Sequence, residues 1–232
     1  MRRAVLVCLL AACQPPPAPC AQDPQRAEVA APLNVTLYSA LDVPAADLSR
    51  LNTALQDWAR CANVNLHVQE RPPQVVARPF PLTTAQLEKL PPDEAACVLT
   101  EPLVGLVRQL ALPGSHVVVA LLPELAPPSS AAAAVLPELV GLGLPATLTA
   151  AAEIPPWMLA LPSPRAPFVL VSALRLRALT TAAERASAVG HELGHALGLV
   201  HDARRCNLMA TTASCGVGWL DAVQAARLRP QR

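Results

Sequence analysis

Lysine is almost absent from this chain: Lys89 is the only one among 18 lysine and arginine residues. Arginine and alanine are abundant instead, which reads as the bias of a GC-rich coding sequence more than as a functional demand. Charged residues make up 15% of the sequence and the formal net charge is +1. No basic field is available for nucleic acid. Long uninterrupted apolar runs are also missing. Ala4 to Ala12 would span only about 13 Å as a helix, against a hydrocarbon core of roughly 30 Å. Residues 131–152 are nearly uncharged, with Glu138 the exception, but Pro137, Gly141, Gly143 and Pro145 break them up. They read as loop and edge strand. Tyrosine occurs once, as Tyr38. What the chain has in quantity is proline, 26 residues that suggest a rigid, loop-rich domain.

Arg2-Arg3 followed by the short apolar run is the pattern of an export signal. Leu10-Ala11-Ala12-Cys13 resembles a bacterial lipoprotein cleavage box, in which the cysteine receives lipid and becomes the mature N-terminus. The expected division is a signal at residues 1–12, a lipidated Pro/Ala-rich tether at 13–31 and one domain at 32–232. An ordinary signal peptide, hence a secreted protein, is the alternative. The tether begins Gln14-Pro15-Pro16-Pro17 and lacks hydrophobic periodicity. Cys8 would leave with the signal. Export to an oxidising compartment would permit disulfides among Cys61, Cys97, Cys206 and Cys215, with Cys20 left over in the tether as a free thiol. Cys206–Cys215 and Cys61–Cys97 is one of three pairings, and spacing does not choose among them.

The chemistry is concentrated in His191-Glu192-Leu193-Gly194-His195-Ala196-Leu197-Gly198-Leu199-Val200-His201-Asp202. This stretch holds three of the five histidines. His191 and His195 share one helical face, with β-carbons roughly 5–6 Å apart, so both can reach one metal ion. Glu192 lies about 100° further round and can instead take a proton from water. His201 would be roughly 9 Å too far along a continuing helix. The chain must therefore turn out of the helix first, and Gly198 stands where a left-handed residue would do this. Three histidines leave one coordination position open, as catalytic zinc requires. A solvated surface helix is the bland reading of His-Glu-x-x-His alone. His67 and His116, in apolar, strand-like runs, read as structural.

With its third histidine and the later Asn207-Leu208-Met209-Ala210, the pattern resembles the metzincin zinc peptidases. That resemblance covers residues 188–221. It implies one catalytic Zn²⁺ held by His191, His195 and His201, Glu192 as general base, and Met209 as an apolar floor. Asp202 looks like the acidic residue of the adamalysin-like branch, where it is structural; a simple turn residue is the other reading. Some members add a tyrosine after the methionine turn, and none occurs here. No cysteine-switch propeptide is expected either.

The remaining periodicities give an α+β chain. Strands are expected at Leu33 to Ser39, Val64 to Gln69, Val117 to Leu122 and Phe168 to Ser172, and Leu139 to Ala146 is a candidate edge beside the zinc. Helices are expected at Ala45 to Cys61, Thr83 to Leu90, Thr100 to Leu110, Thr180 to Leu199 and Leu220 to Leu228. By resemblance this is a twisted mixed sheet with two long helices, then a small C-terminal subdomain carrying the methionine turn and a terminal helix. The expected activity is a monomeric zinc endopeptidase acting on extended peptide at the cell envelope, touching membrane only through its lipid. A catalytically inactive zinc-binding adhesion lipoprotein and a zinc hydrolase of cell-wall peptides are the alternatives. Trp219 reads as core packing, with lining or support of the substrate pocket as the other reading.

Overall fold

The computed structural model describes residues 20, 29–76, 105–106, 109–110, 117–125, 141–144, 166–210 and 216–228. Their elements are β1 (Val29–Ser39), α1 (Ala45–Ala62), β2 (Val64–Glu70), β3 (Val117–Leu122), β4 (Gly141–Leu144), β5 (Phe168–Ser172), α2 (Ala173–Ala178), α3 (Ala182–Ala196) and α4 (Ala222–Arg227). The strands form one sheet in the order β2-β1-β3-β5-β4. The first four run parallel, and β4 closes the edge antiparallel to β5. This is the expected mixed α+β arrangement. The helix expected at Thr83 to Leu90 lies outside the described residues, as do His116, Cys13, Cys97 and Cys215.

The middle strands follow from their composition. Val117–Leu122 and Phe168–Val171 are apolar without alternation, and both strands are buried at every position, Ser172 included, as strands covered on both faces must be. The β1 strand, between β2 and β3, starts at Val29 rather than at Leu33, and its register against β2 shifts between those two residues. His67 is exposed on the edge strand β2 and is remote in sequence and element from the histidine motif.

The two long helices pack on each other. Along α1, Leu51, Leu55, Trp58 and Ala62 are buried at helical spacing. The helix stops at Asn63, which takes a left-handed conformation (φ 57°) and returns its N–H to the Ala59 carbonyl. Asp47 in the first turn is buried and ion-paired with Arg50 and with Arg177 of α2, the latter at 3.4 Å. On α3, Thr181 and Glu184 form a reciprocal capping box. The helices touch where Gly190 meets Trp58: a Cβ on Gly190 would lie 2.1 Å from Trp58 Cδ1. The indole fills the space a side chain would need. Among the described residues, no helix is long and apolar enough to cross a membrane.

One expectation fails outright. Cys61 bonds to Cys20, not to Cys97, and Cys20 is therefore not a free thiol. Their Cα atoms are 5.1 Å apart, within normal disulfide reach. Cys20 also forms an isolated parallel bridge with Val217, so the N-terminal segment is bound to both α1 and the C-terminal region. The signal was absent from the sequence because it depends on where a non-periodic segment folds back. Cys206 is disulfide-bonded as well.

The Gly190–Trp58 contact gives a test of the packing. Replacing an interior helix glycine by alanine normally gains about 1 kcal/mol. Here overpacking should outweigh that gain, leaving Gly190→Ala destabilised by about 1–2 kcal/mol in chemical denaturation. A stabilised variant would contradict the close approach.

Candidate metal centre

The α3 helix presents His191 and His195 one turn apart, and it ends where the third histidine needs it to. Gly198 adopts φ 82°, its N–H bonds to the His195 carbonyl at 2.9 Å, and Leu199 N–H bonds to the Gly194 carbonyl at 2.9 Å. These two bonds make a Schellman ending, with the glycine at its left-handed position. The helix thus finishes at Ala196, short of the expected Leu199. The chain then brings His201 back over the helix end. His195 Nε2 lies 3.1 Å from His191 Nε2 and 3.1 Å from His201 Nε2.

The contact between His191 and His195 is not a hydrogen bond in the neutral state. His191 Nδ1 faces the Leu208 carbonyl at 3.1 Å, and His195 Nδ1 faces the Leu199 carbonyl at 3.0 Å. A carbonyl only accepts, so Nδ1 must carry the proton in each ring and Nε2 is left as a bare lone pair. Such lone pairs this close repel unless a cation lies between them. Nitrogens bound at about 2.0–2.1 Å to one tetrahedral zinc ion stand roughly 3.3 Å apart, near the observed separation. The carbonyls also fix the ring planes, the usual role of groups behind a metal ligand. Burial, reinforced by repulsion from His195, holds His191 down at about 4, against the pull of the Leu208 carbonyl. The residues therefore fit a divalent metal of the zinc type.

Glu192 points elsewhere. Its Oε2 accepts the Gly143 N–H of β4 at 2.9 Å. Burial raises its carboxyl to about 7, and the Gly143 bond limits the rise. The edge strand can come this near only because it carries glycines. A Cβ on Gly143 would fall 2.0 Å from the Glu192 carbonyl oxygen and 2.9 Å from His195 Cβ, and one on Gly141 would fall 2.7 Å from Glu192 Cγ. Within the candidate edge at Leu139 to Ala146, the described residues Gly141–Leu144 form β4, against the motif helix. Its hydrogen bond to Glu192 was not anticipated, because spacing cannot show which backbone donor meets a side chain 49 residues away.

Met209 is fully buried, and a Cβ on Gly194 would lie 2.3 Å from its Sδ. The methionine sits against the helix between the two ligand histidines. Its segment is held by several bonds: Met209 N–H to Asn207 Oδ1 (2.9 Å), Asp202 N–H to the Met209 carbonyl (3.0 Å), and Leu208 N–H to the Trp219 carbonyl (2.8 Å). Asp202 turns its carboxylate away from the histidines onto Arg204, which holds it below the usual carboxylate range, and Arg204 also reaches Asp221. Trp219 is half-buried, with the Arg204 guanidinium 5.2 Å over its ring. Cys206, which begins this floor segment, is itself left-handed at φ 66°. Arg204 and Gln224 were absent from the sequence reading, although Asp221-x-x-Gln224 has legible capping-box spacing.

Proton counting on the metal-free protein yields a prediction. Unfolded, His191 titrates near 6.5 and Glu192 near 4.5; folded, they titrate near 4 and 7. Between pH 4.5 and 6.5 the unfolded chain holds one proton on His191 and the folded chain holds one on Glu192. The counts match, so this pair contributes no slope of stability with pH. In Glu192→Gln only the histidine remains, and its contribution is lost as pH falls through the window. The stability of Glu192→Gln relative to wild type should therefore rise with pH, by up to about 1.4 kcal/mol per unit. Denaturation at several pH values checks this, and parallel profiles would refute the placement of the proton.

No family model matches this sequence, and no curated protein matches it. Among solved structures, the chain is similar to archaemetzincin from Methanopyrus kandleri, with 15% identity, a TM-score of 0.48, and coverage of 85% of this chain and 94% of that one. It is also similar to metalloproteinase-II from Bacteroides fragilis, with 14% identity, a TM-score of 0.44, and coverage of 94% of this chain and 58% of that one. Likenesses this distant do not identify a family.

Proposed function

We propose that this chain is a zinc-dependent endopeptidase. The observation that carries the reading is the convergence of three imidazole Nε2 atoms, two of them deprived of protons by carbonyls behind their rings. His191, His195 and His201 would hold the ion. When bound, zinc supplies a Lewis acid for the scissile carbonyl and lowers the pKa of water toward 7. Glu192 is the general base: its carboxylate takes the proton of the attacking water and returns it to the leaving amine. Burial raises this carboxyl in the metal-free protein, the direction that lets one group both accept and return a proton. The short edge strand β4, against α3, offers main-chain groups to an extended peptide.

The compartment reading follows separately. Two bonded cysteines, Cys20 and Cys61, and a third, Cys206, support an exported protein, since disulfides persist in oxidising surroundings. We place it at the cell envelope, anchored through lipid on Cys13, as a monomer.

Purified protein should contain about one zinc per chain and cleave members of a broad peptide library. Glu192→Gln should keep the metal and lose cleavage by about 10²-fold or more. Retained metal with undiminished cleavage in that variant would remove Glu192 from its role. Metal without any cleavage by wild type would favour a binding protein, and digestion of purified cell wall but not of casein would redirect the substrate to cell-wall peptides.

A further inference from the structure

Gln224 lies on α4, outside the histidine motif, and its buried side-chain amide meets both segments that complete the centre. Its Oε1 accepts from Asn207 Nδ2 at 2.7 Å and from the Asp221 N–H at 3.1 Å. Its Nε2 donates to Asn207 Oδ1 at 3.1 Å and, more weakly, to Asp202 Oδ2 at 3.4 Å. Asn207 in turn accepts the Met209 N–H. Asp202 directly follows His201 in the chain.

The orientations of both amides are forced by groups that allow no choice. The Asp221 N–H can only donate, so the atom facing it on Gln224 is the oxygen. The Met209 N–H can only donate, so the atom facing it on Asn207 is also the oxygen. The two remaining amide nitrogens then find acceptors, and the pair closes a reciprocal ring of two hydrogen bonds. Capping α4 would need only the Asp221 bond. The donor side of Gln224 is not required for that cap, yet it is buried and used.

We propose that Gln224 is a positioning residue of the zinc centre, holding the Met209 floor in register with the His201 segment through Asn207 and Asp202. It touches neither metal nor substrate and acts through the segments it joins. The histidines of α3 are held by a regular helix, whereas Met209 and His201 stand on irregular chain held by a few backbone bonds, Asp202 N–H to the Met209 carbonyl among them, and by side-chain bonds. The Gln224 side chain bonds to both of those segments. The inference rests on the zinc reading.

Gln224→Glu separates the two jobs. A glutamate still accepts from Asp221 N–H and Asn207 Nδ2, and Asp-x-x-Glu is itself a sound capping box, so α4 keeps its cap. The donor becomes a carboxylate oxygen facing Asn207 Oδ1 and Asp202 Oδ2, and the clamp is opened by repulsion. Gln224→Met removes the bonds without adding charge and should behave in the same direction. Val223→Gly is the control: Val223 is exposed, and the change weakens α4 without touching the cluster. The probe is zinc itself, with its release to a chelator followed by stopped flow and the melting temperature of the metal-free protein measured alongside.

Both Gln224 variants should release zinc roughly 10-fold faster or more, while Val223→Gly lowers the melting temperature and leaves release within about twofold of wild type. Release unchanged in the Gln224 variants, or equally accelerated in Val223→Gly, would overturn the proposal. Wild-type protein that holds no zinc would instead overturn the functional reading on which it stands.

Discussion

The carbonyl oxygens of Leu208 and Leu199 decide what the histidine cluster can be. Each accepts a hydrogen bond from the Nδ1–H of one ring, and this fixes the tautomer that turns a lone pair inward. Without them, His191 and His195 could share a proton between Nε2 atoms and form an ordinary hydrogen-bonded pair. With them, the lone pairs of His191 and His195 face each other, and a cation between them would relieve the repulsion within reach of His201 Nε2. Both carbonyls belong to chain that has left regular structure: Leu199 stands just past the helix end, and Leu208 in the segment ending at Met209. The geometry of the histidine cluster therefore depends less on the helix that bears His191 and His195 than on how two irregular segments return to it.

That return requires space on the helix, and glycine provides it on several sides. Trp58 occupies the volume above Gly190, and Met209 occupies that above Gly194. On the strand side, Gly141 and Gly143 let β4 come against Glu192 and His195. Each contact is closer than any side chain would permit. A helix wedged in this way cannot rotate without collision, and a rotation of one residue would carry both imidazoles away from His201. Rigidity of the site is thus a packing result. The glycines lower intrinsic helix stability, and the contacts they allow offset that cost.

The local parts of this arrangement were legible in the sequence, and the nonlocal parts were not. Helical spacing put His191 and His195 together, and the distance to His201 demanded an exit at Gly198, where the chain does leave the helix. Strands β3 and β5 announce themselves by uninterrupted apolar residues. In contrast, the partner of Cys61 depends on the fold-back of a segment with no periodicity, and spacing alone favoured no pairing. The same holds for the Gly143 bond to Glu192 and the amide ring of Asn207 and Gln224. Hydrogen bonds between distant segments leave no trace in periodicity, because they depend on where whole elements are placed.

Those nonlocal ties share a direction, and it bears on why a chain with few charges and many prolines carries disulfides at all. Among the described residues, 206–210 and 216–220 belong to no named helix or strand, although Met209 there packs against the helix of the histidine cluster. The connections of these described residues include an isolated bridge between Asn207 and Trp219, another from Val217 to Cys20, a disulfide at Cys206, and the polar cluster on α4. Cys20 extends the chain of ties to α1 through Cys61. A covalent link restrains the unfolded as well as the folded chain, so it stabilises an irregular segment without requiring that segment to bury more surface. Met209 can then stay packed against Gly194 on a segment that has no helix or strand of its own to hold it.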